Sequence, residues 1–392
     1  MRPQGLPVFD SDFGSAQAER LLRRAGFGPR NGEPEALAEL GLTAAVDSLL
    51  DPPDYAPTGP EPTDAKGRPL APRDAAGHDH VWWLDRMVRG NQPLVERMTL
   101  VWHDWFATSN QGVGSQALML DQNQLFRANW AGSFRDLLLA VTQNPAMLLW
   151  LNGNRNRVGR PNENYAREMM ELFTLGADQG YTEQDVREQA RALTDWSYFI
   201  PVSELDPATA GAFQQAYVAS GYQVAPLLRS ILLHPALYEG PRMVKPPVVY
   251  TAGLLRALGR AIDTTDWTTL DAAAGQQLFY PPNVAGWDDD RWLDTQTYRA
   301  RWAVAQLALG RSALDPAQAP RETNTADAIV ARALTYWNDP KLSPATIAVL
   351  KSFAGRALGD AGKDANKRKT YPTLVENAMR QLIAVTPDYL TC

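Results

Sequence analysis

Apolar positions along this chain recur at three- and four-residue spacing, and no run shows the two-residue alternation of a half-buried strand. The clearest stretch runs from Arg160 to Gly176. At about 100° per residue, Tyr165, Ala166, Met169, Met170, Leu172 and Phe173 gather on one side of a helix. Asn164, Arg167, Glu168, Glu171 and Thr174 gather on the other. Pro161 sets the entry, Asn162 or Asn164 supplies an N-cap, and Gly176 stands where a helix stops. The same periodicity predicts one helix over 16–25 and one or two over 33–50. Further helices are expected over 79–90, 93–109, 115–131, 133–143, 145–150, 182–193, 207–237, 247–259, 265–278 and 295–309. Three more cover 325–386. Pro93 suits a first turn, and Thr182 with Asp185 forms a capping box with the shorter acid. Residues 51–77 are rich in Pro, Asp and Gly and read as a long surface excursion. Residues 281–294 read as an irregular loop bearing Pro and Trp. The expected fold is all-α: a large multi-helix domain with long irregular loops over 1–310, and a C-terminal helical extension over 311–392 packed on it.

The polar side of the 160–176 helix is the first place to look for chemistry. Glu168 and Glu171 are i,i+3 neighbours, so both carboxylates can reach one point. Such a pair can hold a hard cation through oxygen, or share a proton so that one pKa rises. The plainer alternative is a solvated helix face, with Arg167 and Glu171 as an ordinary i,i+4 pair. His103 is the best-placed histidine, with Glu96 and Thr99 on its helix face. Packed beside Glu168 and Glu171, it would complete a set able to bind a divalent metal and activate water. The alternative is a core histidine hydrogen-bonded to a neighbouring helix. His78 and His80, two apart, form a weaker metal pair at a loop-to-helix junction, and His234 before Pro235 reads as structural. Arg160, Arg167 and Arg191 could hold an anionic group bidentately. No Glu-x-x-His, phosphate-binding Gly-Lys-Ser/Thr loop or Gly-x-Ser-x-Gly elbow occurs.

With 392 residues, 45% of them hydrophobic, the chain can bury a large core. Its 12 Trp are read mainly as part of that core. A net charge of -6, with no basic block beyond residues 363–369, argues against nucleic acid as a partner. Cys392 is the single cysteine, so no intrachain disulfide supports the fold. No apolar run approaches a membrane span. Residues 1–13 lack a basic-then-apolar pattern, so no signal peptide is read in this sequence; cytoplasm, and export with a partner, both remain open.

Several separated segments occur in a telling order: Arg23-Arg24-Ala25-Gly26-Phe27-Gly28-Pro29, Trp102-His103-Asp104-Trp105-Phe106-Ala107-Thr108-Ser109, and the 160–176 helix continued through Asp178-Gln179-Gly180-Tyr181-Thr182. Ala190-Arg191-Ala192-Leu193-Thr194-Asp195-Trp196, Lys245-Pro246-Pro247, Pro281-Pro282-Asn283-Val284-Ala285-Gly286-Trp287 and the closing Thr386-Pro387-Asp388-Tyr389 follow. In this order the chain resembles the bacterial family called "domain of unknown function 1800", from near residue 17 to the C-terminal motif. The resemblance implies a mostly helical, often exported protein. It also implies frequent pairing with a protein of the "domain of unknown function 1501" family, which resembles sulfatases and alkaline phosphatases. Relatives often carry His-x-His around His103, where this chain has Trp105 in the second slot, and many carry His where it has Phe173. Both departures remove imidazoles that a transition metal would use.

Two functional expectations result. In the first, the protein is a hydrolase-like enzyme, with or without a divalent metal. Glu168 and Glu171 are then ligands or the acid/base pair, His103 a ligand or base, and Arg167 an orienting group. Asn164, Arg191, Asn283 and Trp287 contact the substrate. In the second, the protein is a non-catalytic scaffold or partner of a phosphatase/sulfatase-like protein, and the same polar residues form a structural network that sets helix register.

Overall fold

In the computed structural model the described residues are 6–152, 163–174, 182, 184–186, 207–310, 312–317, 324–362 and 364–392. The first ten helices are α1 (Ser15–Arg24), α2 (Glu33–Leu40), α3 (Leu42–Leu50), α4 (His78–Arg89), α5 (Pro93–Trp105), α6 (Asn110–Val113), α7 (Gln116–Ala128), α8 (Phe134–Thr142), α9 (Pro145–Trp150) and α10 (Glu163–Glu171). Later helices span Pro207–Ala219, Val224–Leu233, Pro235–Glu239, Pro247–Ala257, Asp266–Ala273, Thr295–Leu309, Ala326–Tyr336, Pro344–Gly359, Ala365–Ala384 and Pro387–Leu390. Extended pairing among the described residues is limited to isolated bridges such as Thr63 with Pro69 and Asn283 with Gly286. The fold is all-α. No helix among the described residues is long and apolar enough to cross a membrane.

Local chemistry explains where most helices begin. Ser115 and Ser133 cap α7 and α8 by accepting from Leu118 and Asp136 N–H. Asn144 caps α9 ahead of Pro145, whose missing N–H costs nothing in a first turn. Thr182 and Asp185 bond reciprocally: Thr182 N–H donates to Asp185 Oδ2 at 2.6 Å, and Asp185 N–H to Thr182 Oγ1 at 3.2 Å. The capping box read from the sequence is therefore present.

The continuous helix expected over 207–237 is instead three helices. Gly221 and Tyr222 break it at φ 70° and 62°, outside helical space. Pro235 then breaks it again, and His234 Nδ1 accepts from Ala236 N–H at 3.2 Å to start the short helix that follows.

The buried side chains form two large clusters. One gathers Leu21, Val46, Phe106, Phe126, Phe134, Tyr165, Met169 and Phe173. The other gathers Trp83, Tyr250, Trp267, Phe279 and Val304 with Ile329 and Ile383, so the helices beyond residue 311 share a core with the body before it. Helix α5 serves both clusters, sending Leu94, Met98 and Trp102 into the first and Leu100 into the second. On α10 the predicted apolar face is buried at Tyr165, Ala166, Met169 and Met170. Its opposite face is half-buried at Arg167, Glu168 and Glu171 rather than fully solvated. Burying each large apolar side chain contributes about 1.5–3 kcal/mol, so Tyr165 and Met169 anchor α10 in the first cluster more firmly than helix propensity does.

Candidate functional site

Glu96, Thr99 and His103 lie one to two turns apart on α5 and face inward, as their spacing predicts. Glu96 is 1% exposed and is surrounded by donors. It accepts from Trp83 Nε1 at 2.9 Å, Arg86 Nε at 2.7 Å, and Arg127 Nε and Nη2 at 2.8 and 2.9 Å. Burial by itself would raise its pKa. The hydrogen bonds and charges of Arg127 and Arg86 outweigh that and hold it below the ordinary glutamate value. Thr99 donates to Val95 O of its own helix at 2.8 Å.

His103, also 1% exposed, is walled by aromatic rings: Trp83, Trp287 and Phe279 at centroid distances of 5.5, 5.4 and 5.6 Å, and Phe126 at 6.2 Å. Its Nε2 is buried without a hydrogen-bond partner, and burial pushes the imidazole down to about 3. The ring is neutral at any physiological pH.

The residue next to it is the one that sequence reasoning passed over. Asp104 is half-buried where α5 ends. Its Oδ1 accepts from Trp287 N–H at 3.0 Å. Asn283 Oδ1 accepts from Ala285 N–H at 2.8 Å and closes the preceding turn. Gly286 sits at φ 90°, and a Cβ there would overlap Asp104 Oδ1 and stand 3.1 Å from the Asp104 carbonyl oxygen. Only glycine allows the loop to fold this closely around the carboxylate. Burial pushes the Asp104 carboxyl up to about 6, with Asp289 pushing the same way and the Trp287 N–H pulling back. The signal was present in the Trp-His-Asp-Trp segment and in Gly286, but nothing local connects the two.

Helix α10 arrives at the same end of α5. Trp105 Nε1 donates to Phe173 O at 3.3 Å, and the rings of Phe106 and Phe173 lie 5.4 Å apart. Leu172, Trp105 and Val284 pack against one apolar cluster. Three motif segments therefore meet here, and Trp105 and Phe173, the two departures from the family pattern, touch each other. On α10, burial raises the Glu168 pKa, the neighbouring Glu171 charge raises it further, and Arg167 opposes both. Arg167 Nη1 lies 3.7 Å from Glu171 Oε1. Among the described residues, no group of three or more His, Cys, Asp or Glu side chains is placed to hold a metal ion.

The other expected site residues are placed as follows. Trp287 is a buried ring against His103, and Asn283 is exposed on the turn. Arg191 lies outside the described residues, as does the side chain of Asn164. His78 and His80 serve separate bonds: His78 Nδ1 accepts from Ala71 N–H at 3.0 Å. His80 is fully buried, with Nε2 3.1 Å from Asp271 Oδ2 and Nδ1 accepting from Leu278 N–H.

A family model described as "protein of unknown function (DUF1800)" matches residues 20–204 and 196–391, nearly the whole length. No curated protein and no solved structure matches the chain.

Proposed function

The chain belongs to the DUF1800 family, and on that premise we propose that it is a hydrolase-like enzyme whose acid–base groups are Asp104, Glu168 and Glu171. The observation that carries this reading is the Asp104 carboxyl, held at about 6 where three motif segments meet. A carboxyl that titrates there is ionised at neutral pH, yet basic enough to take a proton from an attacking water. Glu168, raised above the ordinary glutamate value by burial and by the Glu171 charge, supplies a second carboxyl, and that direction favours a group that protonates a leaving group. Arg167 orients Glu171. His103 Nε2 and Trp287 Nε1 support the reading too: both are buried and unpartnered in rings that touch. Leaving a buried polar atom unsatisfied costs about 1–3 kcal/mol, which a water or a substrate group would relieve.

The test is turnover of chromogenic ester, phosphoester and glycoside substrates by wild-type protein and by Asp104→Asn and Glu168→Gln. The expected result is activity rising with an apparent pKa near 6 and lost in both variants without a fall in their melting temperatures. Activity that survives both substitutions would sink the assignment. Elemental analysis of protein purified without chelator adds the metal question. A stoichiometric divalent metal lost in Glu168→Gln would make Glu168 a ligand rather than an acid.

A second reading rests on a different observation. Glu96 has its carboxylate saturated by protein donors, and the slots at Trp105 and Phe173 are filled by aromatic residues joined through the Trp105 Nε1 bond to the Phe173 backbone oxygen. In this reading the motif residues specify a rigid scaffold for a phosphatase/sulfatase-like protein of the "domain of unknown function 1501" family. Sedimentation of the two proteins together would then show a complex whose affinity is the same for wild type and Asp104→Asn.

A further inference from the structure

Three motif segments that the proposed site does not use meet elsewhere, around a cavity of about 310 Å³. Arg23 and Gly28 come from the first motif, Lys245 opens Lys-Pro-Pro, and Tyr389 belongs to the closing motif; Glu19 and the exposed Lys341 complete the part of the lining that matters here. The volume lies at the lower end of the range for small-molecule pockets.

Lys245 is the unusual member. It is 5% exposed. Its Nζ donates to the Tyr389 backbone oxygen and stands 4.7 Å from the centroid of the Tyr389 ring. No carboxylate among the described residues forms an ion pair with it. Arg23 stands 5.4 Å from the centroid of the same ring, and its charge is matched by Glu19 at 2.6 Å. The fully buried Arg301 donates to the Lys245 carbonyl at 2.7 Å and adds a further positive charge. A buried ammonium is costly, and the negative charges of Cys392 and Glu19 offset only part of the burial and the Arg23 and Arg301 charges acting on it. The lining sets Arg23, Arg30, Lys245 and Lys341 against Glu19, Glu35 and Asp339, and of the four bases Lys245 is the buried one without an ion-pair partner.

We propose that this cavity binds a small anion bearing a carboxylate or phosphate group, with Lys245 as its counter-charge and Arg23 and Lys341 as flanking donors. Without the anion, burial and then the Arg23 charge push the Lys245 amine well below its ordinary pKa. A bound anion favours the charged form, so binding takes up a proton and weakens as pH rises.

The test is thermal unfolding in inorganic phosphate and, separately, in acetate, with ionic strength held constant by chloride. The melting temperature is expected to rise with one of them. Phosphate alone being effective assigns a phosphate ligand, and acetate alone a carboxylate. Lys245→Met should melt higher than wild type without the anion and show no response to it. If neither anion shifts the wild type, or if Lys245→Met responds equally, the proposal fails. A measurement on wild-type protein covers the case in which that variant does not fold. Acetylation by a neutral reagent, followed by mass spectrometry, should be slowed by the effective anion at Lys245 but not at the exposed Lys367. Equal slowing at both residues, or none at Lys245, overturns the proposal.

Discussion

Glu96 and Asp104 are two carboxylates on one helix, about 12 Å apart along its axis, with opposite electrostatic fates. Glu96 is taken out of water and Asp104 is half-buried. Glu96 meets two guanidinium groups and an indole N–H, and is held ionised. Asp104 accepts one backbone N–H, faces another acid in Asp289, and is pushed up to about 6. Burial does not decide which carboxylate stays reactive; the number of fixed donors around it does. Glu96 has little accepting capacity left for a ligand, whereas Asp104 titrates close to neutrality.

The sharpest way to break this comparison is Glu96→Gln. It leaves Arg127 and Arg86 without their charge partner in a buried setting. A loss of about 3–5 kcal/mol in urea denaturation is expected. A loss below about 1 kcal/mol would mean that the network is not structural.

Gly286→Ala comes next. Strain at positive φ, together with overlap on Asp104, should cost about 2–3 kcal/mol. The loop would be driven off the carboxylate, and the Asp104 pKa, followed by NMR, should fall toward the ordinary aspartate value. An unchanged pKa would show that the loop does not cause the shift.

Asp104→Asn should act the other way at neutral pH. A raised carboxyl contributes stability that is fully present below its unfolded pKa near 4 and is lost as pH rises through the folded value of about 6. Asn keeps the acceptor for Trp287 N–H without the charge. Allowing for partial exposure, a gain of about 1–2 kcal/mol at pH 7 is expected, read as a shift in urea midpoint. A destabilised variant would contradict the account.

His103→Phe is the smallest effect, under about 1.5 kcal/mol at pH 7, because a neutral ring is exchanged for another among aromatic neighbours. Its value lies in pH dependence. His103 is depressed to about 3, so its contribution is present above the unfolded pKa near 6.5 and is lost as pH falls below it. Between about pH 4 and 6 the adjacent His103 and Asp104 therefore pull stability in opposite directions. His103→Phe should steepen the gain on acidification, and Asp104→Asn should expose the loss. Parallel pH profiles for wild type and both variants would refute the pairing.

The sequence by itself determined most of the helices, the Thr182–Asp185 capping box and the buried face of α10, but not the breaks at Tyr222 and Pro235. Those features depend on residues within about four positions of one another, so the 3.6-residue period and residues such as Ser133, Asn144 and Asp185 record them directly. It also carried the family motifs, and it placed His103 and Glu96 on one inward face. It did not reveal that Glu96 was already saturated, because Arg127 lies 31 residues away. Only the tertiary structure decided that Gly286 folds around Asp104, that Trp287 N–H bonds that carboxylate across 183 residues, and that Lys245 meets Arg23 without an ion-paired acid. A residue's pKa depends on which donors and charges packing brings within a few ångströms, and that arrangement has no local imprint in the chain.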